Sequence, residues 1–426
     1  MKLAETEELP QSNAWWTPAW ISRLDARGKK AFAASFGGWA IDAFDFMIFS
    51  FVISALTRGL AIDRGKIGLV GTATLLASAV GGWIAGMLAD RFGRVRMLQA
   101  TILWFSVCTI LIGFVQNFEQ LLVLRILQGL GFGGEWAIGA VLIAETVRSE
   151  DRGKAVGFVQ SGWSLGWGAA AIAYSVAFSL LPEQLAWRSL FWAGVLPALL
   201  VLFVRRNVDE PDIFLHARAK QRMSGEKSNL LAIFSPPLAM TTLKASALCT
   251  ALTGGYYAMS TWLPTFLKVE RHLSVLNTGG YLMVLIVGSF CGFIAGAYLA
   301  DLWGRRRTFI AFSLAAAVCL YVYLKLPLTD AQILVLGFPL GVTSCGVFSG
   351  MGAYLSELYP SHVRASGQSF CYNFGRGIGA LFPALVGFLS ESSSLGGAIA
   401  IFAGFAYAIS VVMAATLPET KGRPLQ

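Results

Sequence analysis

Five ionisable side chains stand inside stretches of sequence that are otherwise strongly apolar: Asp42, Asp45, Arg125, Glu135 and Arg376. An ionised group in a hydrocarbon environment costs about 3 kcal/mol or more, so each needs a partner, water or a function. Asp42 and Asp45 are three positions apart, which on a helix places both carboxylates on neighbouring positions of one face. Two acids so close repel unless one carries a proton, and a low dielectric sharpens the effect. Binding and releasing a proton is the chemistry such a pair suits. If the helices bearing Asp45 and Arg125 run in opposite directions, a rise of about 1.5 Å per residue brings the two to similar depths. The expectation is an ion pair, either static or broken when Asp45 takes up a proton. Glu135 follows Gly131, Gly133 and Gly134, and either continues the proton route or contacts a polar cluster at the membrane face.

Arg376 sits in Tyr372-Asn373-Phe374-Gly375-Arg376-Gly377, between glycines that let another helix or a ligand approach closely. Its own apolar segment holds no acid. A permanent cation at mid-depth requires an anion, and the planar guanidinium fork suits a carboxylate. Either a carboxylated ligand occupies it, with Tyr372 and Asn373 alongside, or it pairs with an acid across a cavity. Tyr256 and Tyr257, with Ser260, Thr261 and Trp262, form a polar and aromatic group that could line the same cavity together with Gln160 and Trp163. Each of these aromatics is equally compatible with ordinary packing. Lys244 lies near the start of its segment, where its ammonium can snorkel to the surface.

These residues must be positioned by membrane-spanning helices. The chain has 426 residues, of which 56% are hydrophobic and only 13% charged, too little polar surface to coat a soluble globule of this size. A spanning helix needs about 20 apolar residues, because lipid offers no partner for backbone N–H and C=O groups. Such stretches run near Ala31 to Leu56, Ile67 to Leu88, Met97 to Val115, Leu121 to Val141, Ala155 to Leu180 and Leu190 to Val204. A second set runs near Ala239 to Leu267, Leu276 to Leu299, Thr308 to Leu326, Ile333 to Met351, Ala365 to Leu389 and Gly396 to Leu417. The organisation is therefore a polar N-terminal segment (1–30), a six-helix half (31–204), a polar linker (205–237), a second six-helix half (238–417) and a short tail (418–426). The net charge of +9 reflects topology and not nucleic-acid binding. Arginines and lysines concentrate in the termini and in the even-numbered loops, which by the positive-inside bias puts both termini in the cytoplasm. The six cysteines have no metal-binding or disulfide spacing, and the three histidines fall outside the spans without a catalytic arrangement. No metal, cofactor or enzymatic activity is expected, and nothing calls for more than one chain.

The halves are related. Leu88-Ala89-Asp90-Arg91-Phe92-Gly93-Arg94 recurs roughly half a chain later as Leu299-Ala300-Asp301-Leu302-Trp303-Gly304-Arg305, each copy following the second span of its half. Glu145 with Arg152 is echoed by Glu357 with Arg364, again seven positions apart and after the fourth span. Two matches in order indicate duplication. Gly93 and Gly304 permit a tight turn at the surface. Asp90 and Asp301 close their helices with a charge that opposes the helix dipole, which predicts for each a cation or a helix N-terminus as partner.

These strings resemble the signature of the major facilitator superfamily in the loops after spans 2 and 8. Arg125-Ile126-Leu127-Gln128-Gly129-Leu130-Gly131 is similar to that superfamily's second motif, and Pro418-Glu419-Thr420-Lys421-Gly422 to the end of many of its sugar and organic-acid porters. The resemblance implies an all-α membrane protein of twelve transmembrane helices in two six-helix halves. It also implies a cytoplasmic gate of charge clusters holding the halves together in the outward-facing state, formed here by Asp90, Arg94, Glu145, Arg152, Asp301, Arg305, Glu357 and Arg364. Leu302 replaces an arginine common after the aspartate, which predicts a weaker second cluster. Asp42-Ala43-Phe44-Asp45-Phe46 resembles the paired acids of the sialate, lactate and aromatic-acid proton symporters. The implied activity is proton-coupled uptake of a small monocarboxylate or aromatic acid across a bacterial-type inner membrane. In this reading Asp42, Asp45, Arg125 and Glu135 handle the proton and Arg376 holds the anion. Antiport, sugar–proton symport and nutrient sensing are the rival functions of this fold.

Overall fold

The computed structural model describes residues 19–62, 64–148, 151–194, 204, 206, 208–210, 214–215, 231–236, 238–272 and 275–422. Most of the linker and most of the sixth predicted span, Leu190 to Val204, lie outside these residues. After a single turn at Ala19–Ser22, the first half contains α1 (Ala26–Gly59), α2 (Arg64–Phe92), α3 (Arg94–Ile112), α4 (Phe118–Thr146), α5 (Arg152–Leu180) and the start of α6 (Glu183–Trp192). The second half contains α7 (Leu238–Val269), α8 (Val275–Trp303), α9 (Arg305–Lys325), α10, α11 and α12 (Leu395–Thr416). Of these, α10 is broken into Asp330–Gly346 and Met351–Leu358, and α11 into Arg364–Gly379 and Phe382–Ser392.

Several helices outrun their apolar stretches, since backbone hydrogen bonding continues where hydropathy stops. Asp90 is thereby in the last turn of α2 and Glu145 in the last turn of α4, while Arg94 and Arg152 open α3 and α5. Gly93 and Gly304 hold φ of 118° and 99°, which a side chain would resist, and turn α2 into α3 and α8 into α9 within one residue. The break in α11 precedes Pro383, which has no N–H to continue the ladder. Nine helices among the described residues are long and apolar enough to span a membrane. The inner piece of α11 is not among them: it is 16 residues long, and its buried face is polar, with Ser366, Gln368, Ser369, Asn373 and Arg376.

Packing repeats the duplication. Helix α2 packs on α4 as α8 packs on α10, and α1 on α5 as α7 on α11, while α5·α8 and α2·α11 join the halves. Of α10 and α11, only the pieces nearest the duplicated loops, Met351–Leu358 and Arg364–Gly379, make substantial contact with the first half among the described residues. The bundle is therefore closed at the end carrying those loops. Small residues allow the close approach, as expected where lipid supplies no hydrophobic drive between helices. At Gly133 of α4 a Cβ would stand 1.7 Å from the Ser78 carbonyl oxygen of α2. Gly133→Ala is accordingly expected to lower the melting temperature in detergent by several degrees. Gly168→Ala, where a Cβ meets nothing within 4 Å, is expected to leave it unchanged; equal effects would contradict this packing account.

Candidate functional site

A cavity lies between the halves, lined by side chains of both. Of the predicted ligand contacts, Gln160, Trp163, Tyr256, Tyr257, Tyr372 and Arg376 all line it, joined by Trp39, Phe293 and Phe348. Asn373 does not. Its side-chain amide donates to the Gly133 carbonyl at 3.1 Å and to Ser369 at 3.0 Å, tying α11 to α4 across the halves. Both Asn373 and Arg376 face α4, but the Asn373 amide is spent on the α4 backbone while the longer Arg376 side chain reaches the cavity beside Phe132. Trp136, unremarked in the sequence, stacks on Tyr372 with centroids 3.6 Å apart and donates to Gln160 at 2.5 Å. Gln160 in turn donates to Phe348 O at 3.3 Å, a carbonyl in the break of α10. This aromatic contact and the two hydrogen bonds link α4, α5, α10 and α11.

Arg376 is 1% exposed. Its guanidinium lies over the Phe132 ring at 4.1 Å, while Nε and Nη1 have no hydrogen-bond partner. No carboxylate within 4.0 Å pairs with it among the described residues, although Asp42 stands within its electrostatic reach. Asp42 is fully buried, and neither of its oxygens accepts a hydrogen bond from a donor. Its carboxyl lies within hydrogen-bonding reach of Glu135, whose Oε1 is also without a donor. Glu135 thus faces Asp42 rather than the clusters at the closed end.

Asp45 is held differently. Its Oδ2 accepts from Thr109 Oγ1 at 2.9 Å and from Gln128 Nε2 at 2.7 Å. The direct ion pair expected with Arg125 is not formed: Gln128, one turn along α4, comes between them and accepts from Arg125 Nη1 at 2.6 Å. Arg125 stacks on Phe49 at 4.0 Å.

At the closed end all eight predicted gate residues come together in two matching clusters. Arg94 meets Asp90 at 3.0 Å and Glu145 at 3.2 Å, and Glu145 reaches Arg364 of the other half at 2.8 Å. Arg305 meets Asp301 and, at 3.0 Å, Glu357, which reaches Arg152 of the other half at 3.1 Å. Each motif aspartate also finds the helix N-terminus its position calls for. Asp90 accepts from Ser366 N at 2.8 Å and Asp301 from Lys154 N at 2.8 Å, again across the halves. The second cluster is as fully linked as the first. Leu302 is 68% exposed and stands outside it, so its replacement of arginine removes nothing there.

Two acids of these clusters were not singled out from sequence. Glu210 accepts from the backbone N–H groups of Arg94, Val95 and Arg96 at 2.7–3.3 Å, and Glu419 from those of Arg305 and Arg306 at 2.9 and 3.1 Å. They cap α3 and α9 equivalently. Their matching places after the sixth and twelfth spans were the available signal. Burial pushes the Glu210 carboxyl above the usual carboxylate range despite its three backbone donors. Burial acts in the same direction on Glu419, but the surrounding backbone N–H groups outweigh it and hold that carboxyl below the range.

Comparison with known proteins agrees with this geometry. The Major Facilitator Superfamily model matches residues 35–329, and the model for sugar and other transporters matches 234–426. The chain is 42% identical over 404 residues to the probable 4-methylmuconolactone transporter of Cupriavidus pinatubonensis, covering 95% of this chain and 94% of the relative. It is 29% identical over 409 residues to the cis,cis-muconate transport protein of Acinetobacter baylyi, covering 93% and 96%. A solved structure of the proton:xylose symporter XylE with a bound bromo-deoxyglucose superposes with a TM-score of 0.81 at 16% identity, covering 94% and 98% of the two chains. That likeness establishes the fold.

Removing one partner of a buried pair leaves an uncompensated charge, at a cost of about 3–5 kcal/mol. Glu145→Gln, which strands Arg94 and Arg364, is therefore expected to lower the melting temperature clearly. It should also expose a cysteine placed at Ala140, buried near the interface of the halves, to maleimide. Unchanged labelling and stability would mean that the cluster does not hold that end shut.

Proposed function

Because the chain belongs to the major facilitator superfamily, is a multi-pass membrane transporter and is no enzyme, we propose that it is a proton-coupled symporter taking up a small organic anion, a monocarboxylate or aromatic acid, across a bacterial inner membrane. The observation that carries this reading is Arg376: a buried guanidinium facing a cavity with two of its nitrogens unmatched. A substrate carboxylate supplies the missing anion, and the aromatic walls suit an unsaturated or ring-bearing body. The substrates in the names of the two relatives, a methylmuconolactone and the dicarboxylate muconate, support the broader class of organic acids. A neutral sugar would leave Arg376 desolvated without a counter-ion.

On the proton side, the reading rests on Asp42 and Glu135. Two carboxyls in contact with no donor between them repel as a doubly charged pair, whereas one proton shared between them converts repulsion into a hydrogen bond. Arg376 is the cation whose field favours a charged Asp42. When a substrate carboxylate occupies Arg376 it neutralises that field, so anion binding promotes proton uptake and the reverse holds by linkage. Asp45, tied to Thr109 and Gln128, keeps the α1–α4 contact in register and acts as a second station. With the duplicated loops cytoplasmic, as the distribution of lysine and arginine supports, the clusters seal the inner face and the described state faces outward. Loaded with anion and proton, the halves rock about the central site, the clusters part, and the cargo leaves inward.

Arg376→Ala is expected to reduce uptake of labelled benzoate into proteoliposomes roughly a hundredfold or more, with the melting temperature preserved. Dissipating the pH gradient should abolish accumulation by the wild type. Near-normal uptake by the variant would make the arginine structural, and accumulation indifferent to the gradient would remove proton symport.

A further inference from the structure

Neither Asp42 nor Glu135 is among the residues lining the cavity between the halves. Glu135 instead lines a second, smaller void that lies wholly within the first half, enclosed by α1, α3, α4 and α5. Ser35 and Trp39 of α1, Leu98 of α3, Gly139 of α4 and Val159 of α5 are its other principal walls. Since α1 starts and α4 ends at the closed end, Ser35, which precedes Asp42, and Gly139, which follows Glu135, place the void on the closed-end side of the carboxyl pair. Glu135 is its one ionisable lining residue among those described, and the Oε1 of that side chain has no donor. Trp39 walls both spaces, and its buried Nε1 has no acceptor. Ser35 Oγ donates to the Gly139 carbonyl at 3.3 Å, a long bond that leaves both oxygens able to accept another. An unmatched acceptor, an unmatched donor and a hydroxyl around one small space are the partners a buried water requires.

We propose that this void holds water and is the inner exit for the coupled proton, which leaves through the first half while the anion leaves between the halves. The inference rests on the reading that Asp42 and Glu135 carry that proton. In the outward-facing state the first gate cluster closes the way out: Glu145 stands on α4 beyond Gly139, paired with Arg94 and Arg364. When the halves rock and this cluster parts, the void opens to the cytoplasm. The Glu135 O–H bond then breaks, the proton passes to the water oxygen and leaves as hydronium, and the carboxylate keeps the electron pair. Arg376, freed by the departing anion, is the cation within electrostatic reach of the charge left on the pair. Because Trp39 stands between the two spaces, one anion can be exchanged for another without release of the proton.

The test separates the two exits in proteoliposomes. A Cβ at Gly139 meets only Ser35 within 4 Å, at 3.6 Å, so the backbone admits a side chain that extends into the void. Gly139→Leu should slow uptake of labelled benzoate driven by a pH gradient about tenfold or more, through loss of the positioned proton acceptor. Exchange of internal for external benzoate, which needs no deprotonation, should keep the wild-type rate. Ser35→Val, which replaces the hydroxyl with a methyl group, should show the same split to a smaller degree, and it carries the test if the leucine variant fails to fold. Equal slowing of both modes, or gradient-driven uptake as fast as the wild type, would overturn the proposal while leaving the carboxyl pair as the proton site. Wild-type uptake indifferent to the gradient would overturn the pair's role and this inference together.

Discussion

A guanidinium cannot shed its charge, and in a membrane interior it is stable only beside something negative. Arg376 has no such neighbour in direct contact among the described residues, and the surrounding structure makes physical sense as accommodation of that one charge. Phe132 offers its ring face, a weak substitute for an anion. Asp42 contributes from a distance while its carboxyl lies against Glu135. The cavity supplies space that is apolar on most sides and cationic on one. A site left in this condition costs stability, and the cost is tolerable where an anion regularly arrives to offset it.

The same economy explains the closed end. Each half contributes an arginine to the other half's acid, and each motif aspartate caps a helix that belongs to the other half. Buried ion pairs of this kind gain little net stability, since desolvation offsets attraction, yet they lose much when one partner is removed. That combination suits a seal that must be specific and still come apart. Glu210 and Glu419 add a second layer by fixing the N-termini of α3 and α9, which hold Arg94 and Arg305 at the angle the clusters require. Between the seal and the cavity, the Trp136–Tyr372 stack joins the halves directly. Any ligand that touches Tyr372 acts on that contact, so occupancy of the cavity has a short physical path to the seal.

Much of this was legible in the amino-acid order because its physics is local or repeated. The duplicated strings located both clusters to the residue, since a tight turn with a positive-φ glycine and a helix-ending acid leave a recognisable imprint. Apolar length located most of the spans. Where hydropathy failed, at the inner piece of α11, the helix face is polar because it faces the other half of the protein and not lipid. Arg376, Gln160, Tyr256 and Tyr257 were offered by the sequence as candidates for one cavity, with ordinary packing of the aromatics left open, and they line it. What stayed hidden depends on which way a side chain points around a helix. Gln128 intercepts the Asp45–Arg125 pair, Asn373 turns to α4, and Trp136 supplies a wall and a hydrogen bond, none of which spacing along the chain could specify. The capping role of Glu210 and Glu419 was missed although each follows the last span of its half, because a cap acting over more than a hundred residues leaves no local pattern.

The central claim is that the unmatched edge of Arg376 is the seat of a substrate carboxylate. The most direct measurement is an experimental structure of the protein reconstituted with 4-hydroxybenzoate. The account predicts the carboxylate oxygens in hydrogen-bonding contact with Nε and Nη1 of Arg376, with the ring between Trp163 and Phe348. A ligand bound elsewhere, or an Arg376 folded onto Asp42 with the ligand present, would contradict it.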